Sequence, residues 1–321
     1  MKTVLITGGS GYFGQAMARY MAGYPDGTRE VNAIRIYSRG EAAQAAMRDR
    51  LGDKHEMRYL IGDVRDLHRL ERAMGGVDIV IHAAALKRVE VGERDPSEMV
   101  ETNVLGTRNV LRAAEMTQVQ RVVVLSSDKA CAPLNAYGAT KLVAEKLAMA
   151  TNAERPNGPI VSVVRYGNIA GSTGSVIPTW RALKHQGKQF TVTDPAATRF
   201  WMRVEEACQM VWWVVVNGKG GDMFVPSLPA YRVGDLAHAL QGGHSLPPLT
   251  GRLGPGEKQH ELMISDQEAP GFARIAKYWV TGEKWAPNVE RLGAERRREA
   301  LASNHVDQLS VAEIIEQLRT I

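Results

Sequence analysis

The stretch Thr3 to Gly14, TVLITGGSGYFG, decides the fold. Thr3 to Thr7 are β-branched or apolar, the composition of a buried strand. Gly8, Gly11 and Gly14 follow, and Gln15 to Met21 has helical spacing. A strand, a glycine turn and a helix in that order let backbone approach a pyrophosphate at the positive end of the helix. Ser10, Tyr12 and Phe13 share the turn and are candidate cofactor contacts. A glycine-rich turn without ligand is the plainer alternative, but the turn's place between first strand and first helix favours dinucleotide binding. The expected fold class is α/β, a doubly wound parallel sheet.

Working outward, Ala33 to Tyr37 reads as a second strand closed by Ser38-Arg39-Gly40. NAD-binding chains place an acid there, for the ribose 2′-hydroxyl. Ser38 and Arg39 suit a 2′-phosphate instead, so NADP is expected over NAD. The alternative for Arg39 is a solvated cation beside Glu41. Arg58 to Ile61 reads as the third strand, followed by Asp63-Val64. Asp63 would accept from an adenine amino group or cap the helix starting near Leu67. Asp78 to His82 reads as the fourth strand. Ala83, Ala84 and Ala85 then allow a flat cofactor to approach, and Lys87 would reach a phosphate or sugar hydroxyl. Asn103, on a helical pattern, either supports the site through a backbone hydrogen bond or is a polar residue on a packed helix.

Val122 to Leu125 forms a fifth apolar run, and Ser126 to Lys141, SSDKACAPLNAYGATK, follows it. Tyr137 and Lys141 lie four residues apart and share a helix face. A neighbouring positive charge favours a phenolate, so the pair is a candidate base. Ser127, Asp128 and Lys129 add a hydroxyl, a carboxylate and an amine at the C-terminal edge of the sheet, where open α/β sheets bind ligands. A Tyr and a Lys on an ordinary helix surface is the plainer reading of that spacing alone.

Ile160 to Arg165 reads as a sixth strand, followed by a turn-rich segment with Asn168. Shorter pieces come next: a helix from Ile177 to His185, an extended piece at Gln189 to Thr193, a helix from Val204 to Val216, a strand at Phe224 to Pro226, a helix from Arg232 to Gln241 and a late strand at Tyr278 to Val280. Arg199 would bind a phosphate, or pair with the helix after it. Gly254 to Ser265 reads as a loop, Thr281 to Arg297 as a charged surface segment, and Val311 to Leu318 as a terminal amphipathic helix. Residues 1–168, with about 204–226 returning to them, are expected to bind the dinucleotide; residues 169–321 mainly form a smaller C-terminal substrate lobe.

The 321 residues suit one large α/β unit or two joined lobes, with 44% hydrophobic and 23% charged residues. The net charge of +5 is spread out, so nucleic-acid binding is not expected. Two cysteines, Cys131 and Cys208, give no disulfide framework and no metal spacing. The longest apolar run, Met210 to Val216, is too short to span a bilayer. No signal peptide and no membrane partner are expected, and the expected location is the cytoplasm.

Taken together, TGGSGYFG, Asp63-Val64, AAALK, SSDKA with YGATK, RYGNIAGSTGSVIP, TVTDPAATRFWM and GEKQHE resemble the UDP-N-acetylglucosamine 4,6-dehydratases. These CapD-like polysaccharide-biosynthesis proteins are extended short-chain dehydrogenase/reductases. The resemblance spans almost the whole chain. It implies a Rossmann-type sheet with a smaller sugar-nucleotide lobe, NADP, a nucleotide-sugar substrate and a homo-oligomer, dimer or higher. It also implies roles. Tyr137 would take the O4 proton, with Lys141 lowering its pKa and holding the nicotinamide ribose, and Ser127 would bond O4. Lys129, as a neutral amine, would take the C5 proton, and Asp128, protonated, would be the acid for the C6 hydroxyl. Asn168 and Arg199 would contact diphosphate or sugar, and Glu257 the uridine ribose.

Some positions depart from the family pattern. Many members carry LKHVP where this chain has Leu86-Lys87-Arg88-Val89-Glu90. The family's RPGEK is Gly254-Pro255-Gly256-Glu257-Lys258, with Arg252 as a substitute for the missing Arg. The Met of MTRF is Ala197. The departures fall where nucleotide and sugar would bind, so the base and hexose stay open. Two other readings stand beside the dehydratase: a 4-epimerase, which needs only Tyr137, Lys141 and Ser127, and a non-catalytic NADP-binding regulator.

Overall fold

The computed structural model describes residues 2–22, 31–51, 56–242, 248–254 and 256–321. Among these residues nine strands build the main sheet: β1 (Lys2–Thr7), β2 (Val31–Ser38), β3 (Glu56–Ile61), β4 (Ile79–His82), β5 (Arg121–Ser127), β6 (Ile160–Tyr166), β7 (Asp222–Pro226), β8 (Ala273–Ile275) and β9 (Tyr278–Thr281). Their order is β8-β9-β7-β6-β5-β4-β1-β2-β3. Strands β1 to β7 run parallel, and β9 and β8 add antiparallel at one edge. This is a Rossmann-type α/β fold, and the strand order reverses between β1 and β4.

The strand sequences explain the layering. Val4, Leu5 and Ile6 of β1, and Val122, Val123 and Val124 of β5, are buried on both faces. Parallel strands covered by helices on both sides read as such continuous apolar runs. Tyr12–Ala22, Gly106–Met116, Ala136–Glu154 and Val204–Asn217 supply covering helices. The expected strands and helices recur with ends shifted by a few residues. The late strand at Tyr278 joins the main sheet with β8, so the sheet draws on the C-terminal half beyond residues 204–226.

A second apolar cluster contains Ile177, Trp180, Phe190, Trp201, Tyr231, Leu236 and Ile314. It joins the helices Val176–His185, Val233–Gln241 and Val311–Leu318 beside the C-terminal ends of the sheet strands. The segment expected at the surface from Thr281 to Arg297 is more ordered than its charge suggests. It holds the helix Ala286–Leu292, and Trp285 and Val289 are buried against the sheet core. Trp285 Nε1 donates to Asp222 at 2.8 Å. The expected loop from Gly254 includes a strand, Leu262–Ile264, paired with Leu301–Ala302; Pro255 lies outside the described residues. Among the described residues no helix is long and apolar enough to cross a membrane.

Candidate active site

A cleft of about 820 Å³ opens at the C-terminal ends of β1, β2, β4, β5 and β6. Its floor is the glycine turn. A Cβ on Gly14 would lie 2.5 Å from the Gly9 carbonyl oxygen, and one on Gly8, where φ is +67°, 2.8 Å from Ala84 N. Only glycine permits this approach of turn, helix and the alanine stretch. The result is a backbone-lined cradle at a helix N-terminus, which fits a dinucleotide pyrophosphate. Gly8, Ser10, Gly11, Tyr12, Phe13, Gly14, Ser38, Arg39, Asp63, Val64, Ala83, Ala84, Ala85 and Lys87 all line it.

Two of these residues are occupied differently than the sequence implies. Ser38 Oγ accepts from Ser10 Oγ at 2.8 Å and from Gln44 Nε2 at 2.9 Å, so it ties the glycine turn to β2. Arg39 is the exposed cation at that end, 3.8 Å from Asp63. The Asp63 carboxylate is gripped by Arg65, at 2.9 Å from Nε and 2.7 Å from Nη2. The helix cap is Asp66, which accepts from Arg69 N.

The next wall is the turn after β5. Ser127 is extended, and its Oγ accepts from Lys129 N at 3.2 Å, which starts the short Asp128–Ala130 turn. The Ala136–Glu154 helix begins at Asn135, whose side chain accepts from Gly138 N. A Cβ on Gly138 would run into the Lys129 carbonyl oxygen. Glycine there lets the helix seat on the turn and brings Tyr137 near Ser127, which acts on its phenol. Burial pushes the Tyr137 phenol up, while Ser127 and the Lys129 charge pull it back. The expected partner, Lys141, is turned elsewhere: its Nζ donates to the Leu125 carbonyl. Burial draws Lys141 down to about 8, against the pull of Glu145. Thus Lys129, rather than Lys141, supplies the charge that acts on the phenol.

Lys129, with its side chain 22% exposed, lines the cleft; Asp128, fully buried, sits behind it. Asp128 Oδ1 lies 2.8 Å from Ser127 Oγ and 3.2 Å from Lys129 Nζ. Burial and the neighbouring Glu261 raise the Asp128 carboxyl against the pull of Lys129. For Lys129 the balance is the reverse of the neutral amine the sequence suggests. Burial would lower it, but Asp128 and Glu261 outweigh burial and hold it protonated.

Glu261 is the residue sequence reasoning missed. It is 3% exposed, and its Oε1 lies 3.1 Å from Lys129 Nζ and 3.8 Å from Arg199 Nε. Burial raises its carboxyl, yet Lys129 and Arg199 prevail and keep it low. The only signal was its place at the end of GEKQHE. Arg199 also donates to the carbonyls of Thr198 and Gln259. Its ionic partner is therefore Glu261 and not the helix that follows it. Asn168 Oδ1 accepts from Lys129 at 3.3 Å. Glu257 lines the cleft and accepts from Gly254 N. Arg252 is exposed and is not brought to the cleft.

With this geometry in hand, a family model described as polysaccharide biosynthesis protein matches residues 4–281. The chain belongs to this family. A relative from Campylobacter jejuni subsp. jejuni serotype O:23/36 (strain 81-176) is named UDP-N-acetylglucosamine 4,6-dehydratase (inverting). It is 43% identical over 87% of this chain and 82% of its own length. A protein of Rickettsia prowazekii (strain Madrid E) named UDP-glucose 4-epimerase is 41% identical over 88% of each chain. Among solved structures, Pen from Bacillus thuringiensis aligns with a TM-score of 0.92 at 30% identity, over 100% of this chain and 98% of that one.

Proposed function

We propose that this chain is a nucleotide-sugar 4,6-dehydratase acting on UDP-N-acetylglucosamine or a close relative. The observation that carries the reading is the Asp128–Lys129–Glu261 cluster beside Tyr137 and Ser127. Oxidation and reduction at C4 alone, as in an epimerase, have no use for an amine and carboxyls placed for C5 and C6. That argument favours the dehydratase over the epimerase, the two activities carried in the relatives' names.

The dinucleotide would lie in the glycine cradle, with Arg39 at a 2′-phosphate, which favours NADP over NAD. Bound there, the nicotinamide would supply a hydride acceptor at C4 and a donor at C6. Tyr137 takes the O4 proton while Ser127 holds O4, and Lys141 orients the ribose. Once C4 is a ketone, the C5 proton is acidic and Lys129 takes it. Asp128 is the proton source for the departing C6 hydroxyl, handing on through the hydroxyl of Ser127, the residue of the pair that lines the cleft. Asn168, Arg199, Lys87 and Glu257 hold the diphosphate, sugar and ribose. In this reading residues 1–168, with 204–226, serve the cofactor and 169–321 mainly the sugar nucleotide. A cytoplasmic homo-oligomer belongs to the same reading.

The test is incubation of the purified protein with a panel of nucleotide sugars in deuterated water. Loss of one water by mass and deuterium at C5 are expected. Interconversion of C4 epimers with no water lost would establish the epimerase instead.

A further inference from the structure

Lys129 Nζ is held by three acceptors: Glu261 Oε1 at 3.1 Å, Asp128 Oδ1 at 3.2 Å and Asn168 Oδ1 at 3.3 Å. An ammonium has three N–H donors, so each has a protein partner and no lone pair is free. A lysine in that state takes no proton from C5. One proton must first leave, and once a substrate covers the cleft, among the described residues these three oxygens are the acceptors that touch it. The Asn168 amide does not hold a proton at ordinary pH. Asp128 needs its own proton for the C6 hydroxyl and has no capacity for another. Glu261 is what remains.

We propose that Glu261 is the positioning residue that accepts the Lys129 ammonium proton and thereby makes Lys129 a base. The inference rests on the dehydratase reading. The N–H bond of Lys129 breaks and an O–H bond forms at Glu261, so a buried ion pair becomes two neutral groups. Closing the cleft over a substrate removes water, and an ion pair gains from neutralisation in such surroundings. The free amine takes the C5 proton. The C5–H electrons form the C5–C6 double bond as C6–O breaks, with the Asp128 proton leaving in the water. Afterwards Lys129 returns its proton to C5 as C6 takes the hydride that the bound nicotinamide would supply, Glu261 returns its own proton to Lys129, and the O4 proton on Tyr137 passes through Ser127 to Asp128.

The surroundings fit a carboxylate that gains and loses a proton. Among the described residues, Oε2 of Glu261 is buried without a hydrogen-bond partner, and so is Oδ2 of Asp128. Arg199 stands at 3.8 Å, and Lys258 is the other cation acting on Glu261. They stabilise the charged resting form without a close ion pair to Oε2. Tyr137 and Tyr231 are the remaining titratable neighbours of the cluster. The strand bearing this segment is fixed from two sides. Ser303 Oγ accepts from Glu261 N at 2.9 Å, and Arg165 donates to Met263 O at 2.9 Å.

The test compares wild type with Glu261→Gln and Glu261→Asp. Glu261→Gln should still reduce the nicotinamide on mixing with substrate, but lose C5 deuterium exchange and water loss by about 100-fold or more. Glu261→Asp should regain part of both, with a displaced pH profile for C5 exchange. A purely structural glutamate would depress C4 oxidation equally and leave that profile in place. A second measurement needs no turnover: NMR titration of the lysine side chains, with Lys129 assigned through Lys129→Arg. Lys129 should titrate at lower pH in Glu261→Gln than in wild type. Wild-type rates and profile in Glu261→Gln, or an unmoved Lys129 titration, overturn the proposal. A wild-type protein that never releases water would instead overturn the dehydratase reading, and the lysine titration would then decide the Glu261 coupling alone.

Discussion

Asn103 holds Leu86 from both sides. Its Oδ1 accepts from Leu86 N at 2.8 Å, and its Nδ2 donates to Leu86 O at 2.9 Å. Nδ2 also donates to Thr140 Oγ1 at 3.1 Å, on the helix that carries Tyr137. Asn103 lies in a π-helical stretch, Val100–Leu105. It thus pins the alanine wall of the cleft to the helix bearing the phenol. Asn103→Ala leaves these backbone groups without their partner, which costs about 1–3 kcal/mol. Thermal unfolding should show that loss, and cofactor titration should show weaker binding.

Tyr137→Phe tests the base directly. The ring packing stays and one hydroxyl is removed. The rate of nicotinamide reduction by a sugar nucleotide should fall by about 10²–10⁴-fold, with cofactor affinity nearly unchanged by calorimetry. An unaltered rate would place the base elsewhere.

Arg39→Asp tests cofactor choice. Arg39 is the exposed cation at the end of β2, with Asp63 at 3.8 Å and already bound to Arg65. A charge-assisted hydrogen bond contributes about 1.5–3 kcal/mol, so NADP affinity should fall by roughly 10-fold to 100-fold. NAD affinity should hold or improve. Calorimetry with both cofactors reads the difference.

Glu268→Gln tests the buried ion network under the site. Arg165 is fully buried and pairs with Glu145 at 2.7 Å and Glu268 at 2.9 Å. Burial would raise Glu268, but Arg165 outweighs it and holds the carboxyl at about 2, below its usual 4.5. A depressed carboxylate contributes stability that is present above the ordinary value and is lost as pH falls through the folded one. The wild type should therefore unfold at a higher temperature than Glu268→Gln near neutral pH. That advantage should shrink from pH 4.5 toward pH 2. A constant gap across that range would exclude the charge as its source.

By itself the sequence determined the parallel sheet, the glycine turn and the strand, turn and helix that carry Ser127 to Lys141. These are local: strand, turn and helix signals lie within a few residues of the groups they position, and period and glycine spacing report them. The Asp128–Lys129–Glu261 cluster was decided only by tertiary structure. Glu261 reaches Lys129 because a short strand from the C-terminal half is held against the turn after β5 by Ser303 and Arg165. Neither the spacing nor the composition of GEKQHE encodes that approach. The protonation of Lys129 follows, against burial, from Asp128 beside it in sequence and from Glu261, which only the folded chain brings near, and the turning of Lys141 to Leu125 is likewise seen only in the folded chain.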